Sequence, residues 1–158
     1  APLSNRLVVE KDNDVKNLII NCIVKFKKVE NMSGLKKIIL HDRKSGLRIR
    51  SAFALEEIRD YRAASILLEA IKDSNYRVRG EICNSLGNYK QKSVINELLN
   101  IIENDSKIYV RTIALQSIKK IKNKTTLLPL FNLYTKEKDP VFKEFLREMI
   151  DHFIKQFV

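Results

Sequence analysis

The sequence predicts an all-α fold, a right-handed α-solenoid of about four and a half antiparallel helix pairs. The first observation is a pattern of Asp, Ser, three further residues and Val-Arg, which begins at Asp73 and returns at Asp105. The second is that apolar residues follow each copy at helical spacing. The third is that the chain has only four Gly and three Pro, which favours helices over strands.

A fixed repeat of this length is typical of stacked helices, because one helix pair cannot bury both of its apolar faces alone. Each pair has a first and a second helix, and five dipeptides mark the start of a first helix: Val15-Lys16, Ile49-Arg50, Val78-Arg79, Val110-Arg111 and Phe142-Lys143. The register at Ile49 stays open by one residue, because the segment 51–55 also aligns one position over. We interpret residues 1–13 as a linker or N-terminal arm. We interpret residues 14–158 as a single solenoid domain.

These residues resemble the HEAT-repeat family, in the short form also seen in phycobilisome-lyase-like proteins. The resemblance is carried by the motifs Asp73…Val78-Arg79…Leu86-Gly87, Asp105…Val110-Arg111…Ala114-Leu115…Ile118 and the segment from Arg50 to Leu55. It covers about residues 14–156 and implies stacked helix pairs. It also implies a scaffold that binds other proteins, since the family serves mainly in that role.

Four of the repeated polar residues are expected to be structural, namely Asp73, Arg79, Asp105 and Arg111. An Asp in the loop between two repeats accepts hydrogen bonds from free N–H groups at a helix start. An Arg on the first turn of the next helix then reaches the Asp of an adjacent repeat.

The local signals set the predicted helices in order. Asp14 or Asn13 is expected to cap a first helix from Val15, and residues 31–34 are expected to form a turn that contains Gly34. Pro140 is expected to open the last helix, because proline lacks the N–H that a first turn leaves unused. The remaining helices are predicted at 35–41, 46–58, 62–72, 76–86, 92–103, 108–121, 125–135 and 140–157.

The composition indicates whether the chain spans a membrane and in which redox compartment it lies. No apolar run approaches the length that spans a bilayer. Cys22 and Cys83 lie on the apolar faces of predicted first helices, so we expect both to be buried, free thiols in a reducing cytoplasm. The chain begins with Ala1-Pro2 and two units match the repeat loosely, so we expect a fragment of a larger protein.

The second helices predict a polar and nearly neutral surface. Aligning them places five residues in one column, which we predict to bind another protein or another domain of the same parent chain: Ser65, Glu69, Asn96, Asn100 and Asn132. The final helix has a broad apolar face, part of which is expected to remain free for a further contact.

The positive charge predicts an alternative partner. The net charge is +11, and residues 25–50 contain nine Lys or Arg against two acids. Turns inside the repeats are expected to align as a basic edge that binds a nucleic-acid phosphate backbone or an anionic membrane surface. Its residues are Lys25, Lys27, Lys28, Arg59, Arg62, Lys90, Lys92, Lys119, Lys120, Lys122 and Lys124. The same lysines also complement helix C-termini.

No catalytic, metal or cofactor motif is recognisable, and no small-molecule substrate is implied. His41 and His152 lie far apart, and no Cys/His spacing suits zinc. Some HEAT-like proteins are enzymes that excise alkylated DNA bases or attach bilins. For the first activity Glu69 is the one candidate acid in the predicted column, and no Trp is present to hold a base.

Overall fold

In the computed structural model, which describes residues 2–157, the regular elements are helical and that range contains no strand. The all-α class predicted from the sequence is therefore confirmed. The α-helices of this range are α1 (Leu3–Val9), α2 (Asn13–Phe26), α3 (Met32–His41), α4 (Ser45–Ile58), α5 (Tyr61–Ala70), α6 (Tyr76–Leu86), α7 (Lys92–Asn104), α8 (Ile108–Ile121), α9 (Leu127–Lys136) and α10 (Pro140–Phe157). Short 3₁₀ turns precede α3 and α9, at Val29–Asn31 and Lys124–Thr126.

The helices form two compact units, Ala1–Leu86 and Gly87–Val158. In the first, α4 packs against α2, α3 and α6, and α3 packs against α1 and α5. Its core side chains are almost completely buried and include Leu7, Ile23, Leu35, Leu55, Leu67 and Ile82. Each first helix therefore lies against another first helix and against a second helix, as a repeat array requires.

The second unit has the same kind of packing with α8 and α10 as its first helices. The helix α8 packs against α7 and α10, while α9 packs against α7 and α10. Its buried side chains include Val94, Leu98, Val110, Leu130, Leu146 and Phe153. The bounds of α6, α8 and α10 agree with the prediction, because the repeat motif and Pro140 mark their starts.

Helix ends in both units follow local chemistry. The side chain of Asp12 accepts hydrogen bonds from the N–H groups of Asp14 and Val15, so Asp12 caps α2 and the predicted caps are wrong by one or two positions. The first helices α2, α4 and α8 end at Lys27, Arg59 and Lys122, each in the left-handed conformation with φ of 51°, 57° and 55°. A left-handed residue stops a helix by turning the chain away from its axis.

Within the segment interpreted as a linker or N-terminal arm, Leu3–Val9 form the helix α1. Leu7 of α1 is completely buried and α1 packs on α3. The turn predicted at residues 31–34 is wrong, since Gly34 lies inside α3. A Cβ at Gly34 would come within 2.7 Å of the Cα of Ser4, so this glycine permits close packing of α1 on α3.

The two cysteines differ in their exposure to solvent. Cys83 is buried as predicted, whereas Cys22 is exposed on α2. The buried residues of α2 are Ile19, Ile20 and Ile23. The apolar pattern of α2 therefore extends beyond the face that unit 1 covers, and the sequence alone gave no way to tell the two faces apart.

Replacing Gly34 by Ala is expected to lower the free energy of unfolding by about 1–3 kcal/mol, because the new methyl group forces α1 away from α3. Gly46→Ala is the matched control. A Cβ at Gly46 meets nothing within 4 Å, and Ala in a helix stabilises by up to about 1 kcal/mol over Gly. Urea denaturation of both variants measures the difference. Equal effects would contradict the close contact between α1 and α3.

Candidate interaction surfaces

In the first unit, ion pairs connect the start of a first helix to the loop that follows the next second helix. Lys16 Nζ lies 2.6 Å from Asp42 Oδ2, and Arg48 binds Asp73 through two hydrogen bonds of 2.6 and 2.8 Å. The same guanidinium donates to the Asp42 carbonyl at 2.8 Å, and Arg79 donates to the Asp73 carbonyl at 2.8 Å. Lys16, Asp42, Arg48, Asp73 and Arg79 thus form a continuous ladder along unit 1.

In the second unit, Arg111 makes the equivalent connection. It forms a short ion pair with Glu137, donates to the Ile102 carbonyl at 2.6 Å, and lies 3.9 Å from the centre of the Phe142 ring. Asp105, the acid at the end of α7, accepts a hydrogen bond from the Lys107 N–H at 2.9 Å. We call each base–acid connection of this kind a rung.

The acids of the rungs share one backbone geometry. Asp42, Asp105 and Glu137 each end a second helix in extended conformation. Each also accepts a hydrogen bond from an N–H two residues later, and so does Asp73. The acid therefore fixes the loop and receives the basic side chain at the same time.

The anchor predicted at Ile49-Arg50 is wrong by two positions. Arg48 forms the rung, with only 12% of its side chain exposed, whereas Arg50 is exposed and donates to Asn21. Arg48 lies 32 residues after Lys16 and 31 before Arg79, so its spacing was available in the sequence. The dipeptides Ile49-Arg50 and Leu47-Arg48 both have the apolar–Arg form of the repeat, so the form alone did not distinguish them.

The charges of the rungs change the pKa values of their acids. Burial raises the pKa of Asp42, but the hydrogen bonds from Lys16 and the Lys44 N–H, with the charges of Lys16 and Arg48, produce a net decrease. Burial of Glu137 is likewise outweighed by the Asp139 N–H and by Arg111, so its pKa is lowered. The hydrogen bond to Asp73 raises the pKa of Arg48. Each of these groups is therefore stabilised in its charged form.

Three residues of the predicted polar column lie together in unit 2. Asn96, Asn100 and Asn132 line a groove of about 390 Å³ between α7 and α9, with Leu99 and Leu133. We call it the amide groove. Its rim also carries an exposed ion pair, with Lys136 Nζ 3.6 Å from Glu103 Oε1.

The other two residues of that column lie in unit 1. Ser65 and Glu69 are both exposed on α5. Glu69 pairs with Lys36 of α3 at 2.7 Å, and about half of its side chain remains exposed. The Glu69 carboxylate is therefore an exposed group with a basic partner.

Unit 1 carries five of the predicted basic-edge residues, Lys25, Lys27, Lys28, Arg59 and Arg62, all of them exposed. Two of them have acidic partners. Lys27 Nζ lies 2.6 Å from Glu57 Oε2, and Arg62 Nε lies 2.8 Å from Asp60 Oδ1. The side-chain and backbone hydrogen bonds from Arg62 lower the pKa of Asp60 to about 2.

Unit 2 carries the other six, Lys90, Lys92, Lys119, Lys120, Lys122 and Lys124, again all exposed. The helices α7 and α8 pack together and are joined by residues 105–107, so they run antiparallel. The start of α7 and the end of α8 consequently lie at the same end of unit 2. We call these six residues the lysine edge.

The sequence profile of the HEAT repeats matches residues 32–119, more than half of the chain. This range contains the rung residues Asp42, Arg48, Asp73, Arg79 and Arg111, whose periodic geometry is described above. The chain belongs to the HEAT-repeat family. Among curated proteins none matches it at a significant level.

Two features of this HEAT-repeat chain were not predicted. In unit 1, a hollow of about 300 Å³ is lined by Ile20, Asn21, Val24, Ile49, Arg50, Phe53 and Glu81. Burial raises the pKa of Glu81, and the nearby charge of Glu56 adds to the increase. The hollow combines an apolar floor with an arginine and this carboxyl group. Its parts come from three helices, and no single sequence window contains them.

The second unpredicted feature is an apolar groove of about 570 Å³ in unit 2, between α9 and α10. It is lined by Lys124, Thr125, Leu127, Leu128, Phe131, Ile150 and Ile154. Leu128 and Phe131 are 68% and 51% exposed. The sequence predicted a free apolar face on the last helix, but not that α9 supplies the opposite wall. We call it the α9–α10 groove.

Residues 2–157 lack two further kinds of feature. Within that range no group of three or more His, Cys, Asp or Glu side chains is arranged to hold a metal ion. In the same range no helix has the length and hydrophobicity required to cross a bilayer.

Replacing Arg48 by Ala is expected to lower the free energy of unfolding by about 1–3 kcal/mol, because Asp73 then stays half-buried without its bidentate partner. Arg50→Ala, two positions away on the same helix, is expected to stay within about 0.5 kcal/mol of the original protein. Thermal and urea unfolding measure both. A larger loss for Arg50→Ala would show that Arg50 carries the rung.

Proposed function

We propose that this HEAT-repeat chain is a non-catalytic module that binds another protein, or another domain of the same parent chain, through the amide groove of unit 2. The observation that supports it is the convergence of Asn96, Asn100 and Asn132 beside the apolar side chains of Leu99 and Leu133. HEAT repeats in general serve as protein-interaction scaffolds.

The chemistry of the amide groove suits a peptide segment. Asn100 is oriented by its neighbours, because its Nδ2 donates to Glu97 at 3.2 Å and its Oδ1 accepts from Asn104 at 2.9 Å. Asn96 and Asn132 are exposed and offer both a donor and an acceptor. Such amides pair with a partner's backbone, while leucines beside them bury its apolar side chains.

The amide groove carries little net charge. It therefore suits a peptide better than a nucleic acid, whose phosphates require a basic surface. Glu103 and Lys136 at its rim pair with each other. HEAT repeats are typically non-catalytic, and we propose no catalytic role, cofactor or small-molecule substrate. A cytoplasmic location belongs to the same proposal and is supported by Cys22 and Cys83, which are thiols and not joined in a disulfide.

The test is affinity capture from cell extract with variants of the groove. The double variant Asn96→Arg with Asn132→Arg fills the groove with two long charged side chains, and its retention of a bound protein is expected to fall at least about tenfold. Asn13→Arg changes an exposed Asn of unit 1 and is the matched control. Partners that bind the double variant and the control equally would contradict the amide groove as the binding site.

A second candidate function is favoured by the lysine edge. Six exposed lysines lie at one end of unit 2. A cluster of this kind attracts a phosphate backbone chiefly by releasing condensed counterions. Few aromatic side chains accompany it, which favours contacts with phosphate over base stacking.

The variant in which Lys119, Lys120, Lys122 and Lys124 are replaced by Ala tests this second function. Fluorescence anisotropy with duplex DNA at several salt concentrations is expected to show a slope of log affinity against log salt that is smaller by about 3–4. Replacing Lys11, Lys37, Lys72 and Lys138 removes the same charge elsewhere. An identical loss in both variants would indicate net charge and not a site.

A further inference from the structure

The hollow of unit 1 that Arg50 lines is complete within that unit. It lies where α4 packs against α2 and α6, so its walls are first helices that neighbour one another inside the array. Ile20 at its base is 1% exposed, while Phe53 is 45% exposed and stands at its rim. Its volume of about 300 Å³ is at the lower limit of ligand pockets and accommodates a single residue-sized group. We call it the Arg50 hollow.

Arg50 brings a guanidinium to this hollow and holds it in place. Asn21 Oδ1 of α2 accepts a hydrogen bond from the Arg50 side chain, which bridges from α4. Among residues 2–157 no acidic side chain forms an ion pair with Arg50, whereas Arg48, two positions before it, binds Asp73. The planar guanidinium presents paired N–H donors whose geometry matches a carboxylate. The Arg50 hollow therefore offers an oriented binding group for a carboxylate.

Glu81 of α6 adds a hydrogen-bond acceptor to the hollow. Its side chain is half-buried. Burial raises the pKa of the Glu81 carboxyl, the hydrogen bond from Asn84 lowers it by less, and the charge of Glu56 adds to the increase, so the net pKa is raised. A raised pKa favours the neutral carboxyl group, which still accepts an N–H and does not cancel the charge of Arg50.

A second hollow shows which part of this arrangement belongs to the repeat. It also measures about 300 Å³ and lies between the first helices α8 and α10 of unit 2. Counted from the repeated basic residue of each first helix, Gln116 has the position of Asn21, and Phe145 has the position of Arg50. The packing of neighbouring first helices thus accounts for the space, and Arg50 supplies the chemistry that is particular to unit 1.

We propose that the Arg50 hollow binds the C-terminal residue of a partner protein, and that this residue is aliphatic. Its carboxylate pairs with Arg50, and its amide N–H donates to Glu81. Its side chain packs on Ile20 and Phe53. All of these groups are attached to one Cα, which suits a hollow of this size. An internal Asp or Glu carries its carboxylate on the side chain and has no apolar group there. The site lies in unit 1 and does not depend on the amide groove.

Charge complementarity is the reason for choosing an anionic group as the occupant. A guanidinium stays protonated at physiological pH, and residues 25–50 contain nine Lys or Arg against two acids. A lysine side chain or a free amino terminus would be repelled by this positive field. A nucleic-acid phosphate would be attracted, but it carries no aliphatic group for the apolar wall of the hollow.

Fluorescence anisotropy tests the proposal with a peptide that carries an N-terminal fluorophore and ends in Ala-Ala-Leu with a free carboxylate. Titration with the 158-residue chain is expected to show saturable binding. Amidation of the C-terminus removes the charge that Arg50 binds, and replacing the Leu by Ser removes the apolar contact, so each is expected to weaken binding at least about tenfold. An amidated peptide with an internal Glu before the Leu that binds as tightly as the free acid would overturn the proposal.

The variant Arg50→Gln keeps a polar side chain without the guanidinium, and it is expected to bind the free-acid peptide at least about tenfold more weakly. Arg43→Gln removes the same charge from an exposed site of unit 1 and is the matched control. The double variant Asn96→Arg with Asn132→Arg is expected to bind the peptide unchanged, so failure of the amide groove as a site leaves this result unaffected. Circular dichroism establishes that each variant folds.

Equal losses for the two arginine variants would indicate an effect of net charge, and a loss in the double variant would place the peptide in the amide groove. Either result would overturn the proposal, as would a free-acid peptide that shows no saturable binding.

Discussion

The structure of each unit depends on an ion pair between the first turn of a first helix and the acid that ends the next second helix. In unit 1, Arg48 binds the carboxylate of Asp73 and the carbonyl of Asp42, so one side chain joins the two loops on either side of its repeat. Taking such charges out of water is costly, and the cost is offset only when each oxygen has a donor. The N–H groups that follow each acid supply those donors.

This requirement explains which parts of the fold the sequence could predict. The acid and the base of each ion pair must recur in every repeat, so they appear at a regular spacing in the sequence. The helices that start at Tyr76, Ile108 and Pro140 were therefore predicted at their observed positions. Arg48 was missed because Ile49-Arg50 has the same apolar–Arg form as Leu47-Arg48, although the two arginines lie about 200° apart around the helix. Only the folded loops distinguish the two arginines, because they place the Asp73 carboxylate and the Asp42 carbonyl within reach of Arg48.

The candidate surfaces were predicted less completely, for a related reason. Aligned second helices predicted the column that contains Asn96, Asn100 and Asn132, because one helix face follows from helical spacing alone. Helical spacing alone did not predict the helix α1 or the two walls of the α9–α10 groove. Seven residues with a Pro before them give a weak helical signal, and α1 forms because Leu7 is buried and Gly34 lets Ser4 approach α3. Tertiary packing decided both features.

A basic residue in left-handed conformation follows each of the helices α2, α4 and α8. Lys27, Arg59 and Lys122 occupy a conformation that glycine adopts freely and that costs a residue with a Cβ roughly 1–2 kcal/mol. Substitution by glycine would relieve that cost at all three. A basic side chain at each of them offsets part of that cost, because a positive charge beside the C-terminus of a helix interacts favourably with the helix dipole.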